Sequence, residues 1–456
     1  EAVWSDRPPL PSAPVFAHGA PYAVRTRLDN LRLARAALAE HAATHHLVST
    51  LDDIAWLLNL RGSDVEHNPV FASHLLVSAE DATLFVRGGK VARDLARELE
   101  RDGVSLADYG STKHALGTLP PDAYVLLDPR RVTFGVRAAL PTSARIVEAT
   151  NPSTLAKSRK NEIEAEFIRE TMIEDGAAMC RFYAAFEASL VAGEPWDECL
   201  VHDHLTAERA RSRLFVSPSF ATIAGYNANG ALPHYRAVAG RQARIDGDGM
   251  LLVDSGGQYL GGTTDVTRVW PVGRPSSEMK RDVTLVLKAL IALSTARFPR
   301  GIPASLLDPI ARAPLWRACL DYGHGTGHGV GYFLNVHESP PLIARVAPEP
   351  DMAMQPGMLT SIEPGVYRPG RWGVRLENLV LVRPVAGDGE FGEFLEFETV
   401  TLCPIDTRLV DPTMLDRVER RWLDGYHATV CERLAPRLDG LALEWLRART
   451  EPIRET

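Results

Sequence analysis

The fold of this chain turns on the stretch Leu251-Leu-Val-Asp254-Ser-Gly-Gly-Gln-Tyr-Leu-Gly-Gly-Thr-Thr-Asp265-Val-Thr-Arg268. An apolar strand ends in an acid, a Gly-rich turn follows, and a second strand carries another acid. A hairpin brings such carboxylates to one place. Two like charges are costly to bury side by side unless a cation or a proton lies between them. Taken alone, Asp254 reads equally as a turn acid and Asp265 as a strand-end acid, so the neighbouring segments must decide.

The next such segment is Tyr322-Gly-His324-Gly-Thr-Gly-His328-Gly-Val-Gly-Tyr-Phe-Leu-Asn-Val-His337-Glu338, which holds three histidines among five glycines. Glycines let the backbone turn tightly and approach a ligand closely. Neutral imidazole is the commonest metal ligand and a proton shuttle near neutral pH. Two more acids follow. Glu363 ends a strand before a Pro-Gly turn in Thr360-Ser-Ile-Glu363-Pro-Gly-Val-Tyr367, and Glu377 sits in the apolar strand Trp372-Gly-Val-Arg375-Leu-Glu377-Asn-Leu-Val. A mid-strand Glu among Val and Leu points inward or needs a partner, and a salt bridge to Arg375 is the plain alternative. Four carboxylates and one imidazole suit two divalent cations, with manganese, cobalt or iron favoured over a thiolate-type zinc site. Two such metals about 3.5 Å apart can activate a shared hydroxide for attack on a carbonyl.

Composition is that of an ordinary globular protein. The 456 residues are 45% hydrophobic and 24% charged, enough for a sizeable core and for roughly three domains, or one small and one large. A net charge of −8 argues against nucleic acid as partner, because neutralising phosphates needs a basic face. No apolar run of about 18 residues is present to span a membrane. The five cysteines are scattered and lack a Cys-x-x-Cys pair, which suits a reducing compartment and disfavours a disulfide framework. The first residue is Glu, and the Pro-rich, polar start lacks the core of a signal peptide, so a trimmed or incomplete product is expected.

Along the chain, helical spacing covers Arg27 to His46, and short apolar runs at Leu47–Val48, Leu75–Val77, Leu84–Val86 and Tyr124–Leu127 predict strands. Residues 1–150 are therefore expected to be an α/β domain, ending at the turn cluster Asn151-Pro-Ser153. A long helix is predicted from Ser158 or Asn161, with Ile163, Phe167, Ile168 and Met172 on its apolar face. The Gly-Pro stretches at 361–373 read as turns, and the last fifty or so residues as helix. There is no internal repeat.

The order Asp254, Asp265, His328, Glu363, Glu377 resembles the metal-ligand pattern of the pita-bread metallopeptidases. The segments around Asp265, His324–His328, Asn335–Glu338, Ile362–Tyr367 and Val374–Asn378 resemble the Xaa-Pro aminopeptidase family in its long cytosolic type. Leu60-Arg-Gly-Ser-Asp-Val-Glu-His-Asn-Pro69 and the tail segments Trp422-Leu-Asp-Gly-Tyr-His427 and Glu444-Trp-Leu extend the resemblance over nearly the whole chain. It implies a creatinase/prolidase-like amino-terminal α/β domain over residues 1–150. An α+β pita-bread catalytic domain with a curved antiparallel sheet would follow over 151–456, ending in a helical extension from about 405. It implies a cytoplasmic, dinuclear metallo-aminopeptidase, with manganese the expected metal and cobalt, iron or zinc the alternatives. Its substrates would be peptides with proline in second position, cleaved by a metal-bridging hydroxide. Prolidase, which takes only Xaa-Pro dipeptides, and a non-catalytic pita-bread binding module are the competing readings.

By the same resemblance Asp254 binds one metal, Asp265 and Glu377 bridge both, and His328 and Glu363 hold the second. Glu363 is the general base and proton carrier. His234, in Asn227-Ala-Asn-Gly-Ala-Leu-Pro-His234-Tyr, and His337 hydrogen-bond the substrate or the tetrahedral intermediate, although His234 alone also reads as a surface turn residue. His324, Tyr367 and Arg375 line the proline pocket. His324 reads equally as a group orienting His328, and Arg375 as a partner of a ligand carboxylate. Longer relatives carry a further amino-terminal domain before the point where this sequence starts. A homodimer is expected, with Arg61 to Pro69 either reaching the neighbouring site or serving as a plain loop.

Overall fold

The computed structural model describes residues 4, 6–387 and 390–453. The chain divides into two compact units, Glu1–Lys157 and Ser158–Thr456.

The first unit is built on a mixed six-stranded sheet in the order Val104–Asp108, Ala82–Val86, Ser73–Ser78, His45–Val48, Tyr124–Leu127, Arg145–Glu148. The four central strands contain the four apolar runs of the sequence. The two outer strands were not anticipated. Each is paired on one side only and alternates poorly, and Val104 is the only buried residue between them. The helix predicted to run to His46 stops at Glu40. Ala42 adopts φ 49°, and the Ala43 N–H bonds back to the Leu38 carbonyl at 2.8 Å, which closes the helix and frees His45 to start a strand. An alanine in that left-handed position carries no sequence signature. The expected turn at Asn151–Ser153 is instead the entry to a short helix, Pro152–Ser158. The loop after Arg61 is held from within the unit: Asp64 accepts from the Ala72 N–H at 2.7 Å and pairs with buried Lys90.

The second unit opens on the helix Glu162–Val191. Asn161 caps it, accepting from the N–H groups of Ile163 and Glu164 at 3.0 Å each, while Glu164 reaches back to the Asn161 N–H. Such reciprocal capping contributes about 1 kcal/mol. Ile163, expected on the apolar face, is exposed, whereas Ile168 and Met172 are buried.

All strand pairs of this unit are antiparallel. One sheet joins Ile223–Tyr226, Gly249–Ser255 and Val266–Val272. A six-stranded sheet runs Arg297–Pro299, Phe394–Thr399, Asn378–Pro384, Leu359–Ile362, Gly327–Gly329, Glu338–Ile343. The Gly-Pro stretch read as turns contains a two-stranded hairpin, Gly365–Arg368 with Trp372–Arg375. The closing helices are Arg417–Leu434 and Gly440–Arg449. Trp445 of the last one packs near Trp270 of the strand Val266–Val272 (ring centroids 5.4 Å apart), and the Trp270 ring centroid lies 3.8 Å from that of Tyr183 in the long helix.

Candidate metal centre

Strand register explains how distant acids meet. In the hairpin of Gly249–Ser255 with Val266–Val272, Asp254 stands opposite Thr267. Asp265 lies just before the second strand, not within it. Glu363 and Glu377 occupy equivalent places in two other segments, each between two strands. Ile362 pairs with Asn378 in the six-stranded sheet, and Gly365 pairs with Arg375 in the hairpin. Both chains therefore step from one sheet to the other at the same level, and Glu363 and Glu377 are the residues at the step. Glu377 is thus at a break between strands, where the sequence suggested mid-strand. The break leaves backbone groups to be satisfied from elsewhere. The Glu363 N–H donates to the Thr326 carbonyl at 2.7 Å and the Glu377 N–H to the Thr267 carbonyl at 3.2 Å.

One oxygen or nitrogen from each of Asp265, His328 and Glu377 lies within 4.8 Å of the others, an arrangement that suits a metal ion. His328 Nε2 stands 3.6 Å from an oxygen of Asp265 and 3.6 Å from one of Glu363. The other ring nitrogen, Nδ1, donates to the Gly329 carbonyl at 3.0 Å, which leaves the Nε2 lone pair facing those carboxylates. Burial, with His337 beside it, pushes the His328 imidazole down to about 3, so it is neutral at physiological pH. Burial and the neighbouring carboxylates push Asp265 and Glu377 well above the usual carboxylate range. Glu363 is raised to about 8 by burial and by Asp254, against the opposing pull of Arg375. Asp254 completes the set with one buried oxygen, Oδ1, that has no hydrogen-bond partner among the described residues. Lone pairs and like charges aimed at one another repel unless a cation lies between them, so the donor set fits divalent metal.

The salt bridge suggested between Arg375 and Glu377 is not the one formed. Arg375 pairs with Asp254 at 2.5 Å and donates to the Tyr367 hydroxyl at 2.7 Å, while Glu377 accepts from Thr267 Oγ1 at 2.7 Å. The Tyr367 hydroxyl lies 2.8 Å from His324 Nε2, and His324 Nδ1 lies 2.7 Å from the Gly325 carbonyl. His324 is thus joined to Tyr367 and Arg375, while His328 takes its orienting bond from its own backbone. The His337 ring meets that of His328 edge to face, centroids 4.2 Å apart. A cavity of about 620 Å³ is lined by His234, His324, His337 and Arg375 together with the four acids and the imidazole named above. Tyr367, expected on that wall, is not among the lining residues but bonds to two of them, Arg375 and His324.

Several supporting residues were assigned no role from the sequence. Arg268, fully buried, donates to the Glu377 carbonyl at 2.6 Å, to Asn378 Oδ1 at 2.8 Å and to the Tyr426 hydroxyl at 2.8 Å. Its clue was an arginine inside an apolar strand. Asp308 and Arg312, one turn apart on Asp308–Trp316, are buried. Arg312 donates to the carbonyls of Tyr322 and His324 at 2.8 and 2.7 Å, and Asp308 accepts from Thr326 Oγ1 at 2.6 Å. Together they hold the His-Gly loop.

Comparison with known proteins defines the class. The pattern of metallopeptidase family M24 matches residues 166–384, that of the creatinase/prolidase N-terminal domain residues 6–164, and that of the C-terminal region of the same peptidases residues 393–453. The chain belongs to metallopeptidase family M24, and its second unit is the pita-bread catalytic domain with a curled antiparallel sheet. The probable Xaa-Pro aminopeptidase P of Laccaria bicolor is 40% identical over 99% of this chain and 72% of its own length. That of Neurospora crassa is 38% identical over 99% of this chain and 68% of its own. The crystal structure of X-prolyl aminopeptidase from Caenorhabditis elegans, described as a cytosolic enzyme with a di-nuclear active site, superposes with a TM-score of 0.92 at 31% identity. It covers 99% of this chain and 75% of that one. The Xaa-Pro dipeptidase of Bacillus anthracis, at 21% identity and a TM-score of 0.63 over 84% of this chain and 99% of its own, shares the fold.

Proposed function

We propose that this protein is a metal-dependent aminopeptidase that hydrolyses the bond between an amino-terminal residue and a proline in second position. The observation that carries this reading is the convergence of Asp265, His328 and Glu377, with Glu363 and Asp254 beside them, in a chain whose relatives bear that activity in their names. Asp254, Asp265, His328, Glu363 and Glu377 would hold two divalent cations, which when bound supply an activated water and polarise the scissile carbonyl. Manganese is the proposed metal, because carboxylate oxygens with one imidazole and no thiolate suit a hard cation. Cobalt, iron and zinc are the alternatives to be measured.

The chain's own groups do the rest. Glu363 carries the proton from the attacking water to the proline nitrogen. His234 and His337 stand on the cavity wall and hydrogen-bond the carbonyl as negative charge develops on it. The hydroxyl of Tyr367, fixed between Arg375 and His324, shapes the place of the proline ring. A tertiary amide offers no N–H, so the site must grip the free amine and the ring instead. Arg375 pairs with Asp254 and fixes its carboxylate at the cavity wall.

A cytoplasmic setting is part of this reading, supported by five unpaired cysteines and by the cytosolic C. elegans neighbour. Among the described residues no helix is long and apolar enough to cross a membrane. A homodimer is proposed on family resemblance and is tested by light scattering. The activity is tested by stripping metal with a chelator, restoring manganese, and comparing Xaa-Pro-Yaa with the Xaa-Pro dipeptide. Metal-dependent release of the first residue from the longer peptide is expected. Cleavage of the dipeptide alone would make the protein a prolidase, and no cleavage with metal bound would make it a binding module.

A further inference from the structure

His234 sits in a segment with little structure of its own. Between Tyr226 and Ala243 the chain forms only the short turn Asn227–Ala231, and His234 itself is exposed on the cavity wall. Its place is therefore set by whatever anchors this loop. One side chain does so from a distance in sequence. Glu198, fully buried, is the first residue of the helix Glu198–Arg209. Its Oε1 accepts from the Tyr226 N–H at 2.8 Å and from Asn229 Nδ2 at 3.0 Å. Its Oε2 accepts from Asn229 Nδ2 at 3.1 Å, from the Tyr235 hydroxyl at 2.8 Å and from the Ala243 N–H at 2.8 Å. The Glu198 N–H returns a bond to the Ala243 carbonyl at 3.3 Å. The carboxylate thus closes both ends of the loop and grips its middle at Tyr235, the residue next to His234.

We propose that Glu198 is a positioning residue for the hydrolytic reaction, a buried carboxylate that clamps the 226–243 loop through neutral donors and so holds His234 against the substrate. This rests on the reading of His234 as a substrate-contacting group. A carboxylate is the side chain that fits, since every hydrogen bond it makes here is accepted. Glutamine, of the same shape, must turn its NH2 towards either the Tyr226 or the Ala243 N–H, and one end of the loop is released. Displacement of a reacting group by about 1 Å from a remote change costs up to about 100-fold in rate.

The test uses the full, metal-loaded chain and an Xaa-Pro-Yaa peptide, with Glu198→Gln, Tyr235→Phe, His234→Ala and the two doubles on His234→Ala. Glu198→Gln should lower kcat/KM by about 10- to 100-fold, mostly in kcat, with metal content unchanged. Tyr235→Phe, which removes one donor and leaves packing intact, should lower it by about 3- to 10-fold. In the His234→Ala background neither should cost more than about twofold, because the group they position is gone. Unchanged kcat/KM in both single variants would overturn the proposal. So would full, additive losses in the His234→Ala background, which would mark a general structural role. If Glu198→Gln does not fold, Tyr235→Phe and its double decide. An innocuous His234→Ala would overturn the contact role of His234 and this inference with it, while metal-dependent cleavage would still stand.

Discussion

Lys160 offers a quantitative test of how the catalytic unit is held together. It enters the unit just before the long helix and forms an ion pair with Glu338, each side chain about 1% exposed. Its Nζ also donates to the Val330 carbonyl at 2.7 Å. Glu338 follows His337 directly, and Val330 follows the His328 strand. Lys160→Met keeps the length and apolar stem but leaves a carboxylate in a place closed to water. Removing one partner of a buried pair costs about 3–5 kcal/mol, because the survivor's desolvation is no longer offset. At about 2–4 °C per kcal/mol for a unit of this size, the melting transition should fall by about 10 °C. The second variant is the informative one. Lys160→Met with Glu338→Leu removes both charges, and such replacements are near neutral or stabilising. The assay is thermal and urea unfolding at fixed excess metal, since bound metal adds its own stabilisation. A loss under about 1 kcal/mol in the single variant, or a double variant no more stable than the single, would refute the reasoning.

Two further predictions concern other parts of the chain. His46, fully buried with its Nε2 3.2 Å from Asn151 Oδ1, is pushed down to about 4 by burial, so the unfolded chain takes up its proton first as pH falls from 6.5. Stability of the first unit should drop by about 2 kcal/mol between pH 7 and pH 5, and His46→Gln should flatten that slope; an equal slope in the variant contradicts it. At Gly327 a Cβ would stand 1.9 Å from the Ser361 carbonyl oxygen, so Gly327→Ala must spread the strand pair that carries His328. A loss of at least about 2 kcal/mol together with weaker metal binding is expected, read by melting and metal analysis; wild-type behaviour in both would show that the backbone yields there.

The sequence exposed what chemistry writes into residue type and spacing. Acids closing apolar strands and histidines among glycines stand out because a folded chain seldom tolerates them without a purpose, and the structure gathers them around one cavity. What stayed hidden depends on contacts between distant segments. Val104–Asp108 and Arg145–Glu148 are edge strands with few buried side chains, so their pattern is faint. The step of Glu363 and Glu377 between two sheets arises from strands only four residues long on one side, too short to announce a break. Glu198 looks like any first-turn helix acid, and Asp308 with Arg312 like a surface pair. Only folding shows that the first holds a loop and the others the His-Gly segment.

The central claim is that Asp254, Asp265, His328, Glu363 and Glu377 hold the metal that makes this chain a peptidase. The most direct measurement is anomalous diffraction from manganese-loaded crystals, paired with metal analysis of Asp265→Asn and Glu377→Gln. A pair of anomalous peaks among those five side chains is predicted, with bound metal reduced in both variants. Manganese located elsewhere, or full occupancy retained in both variants, would contradict it.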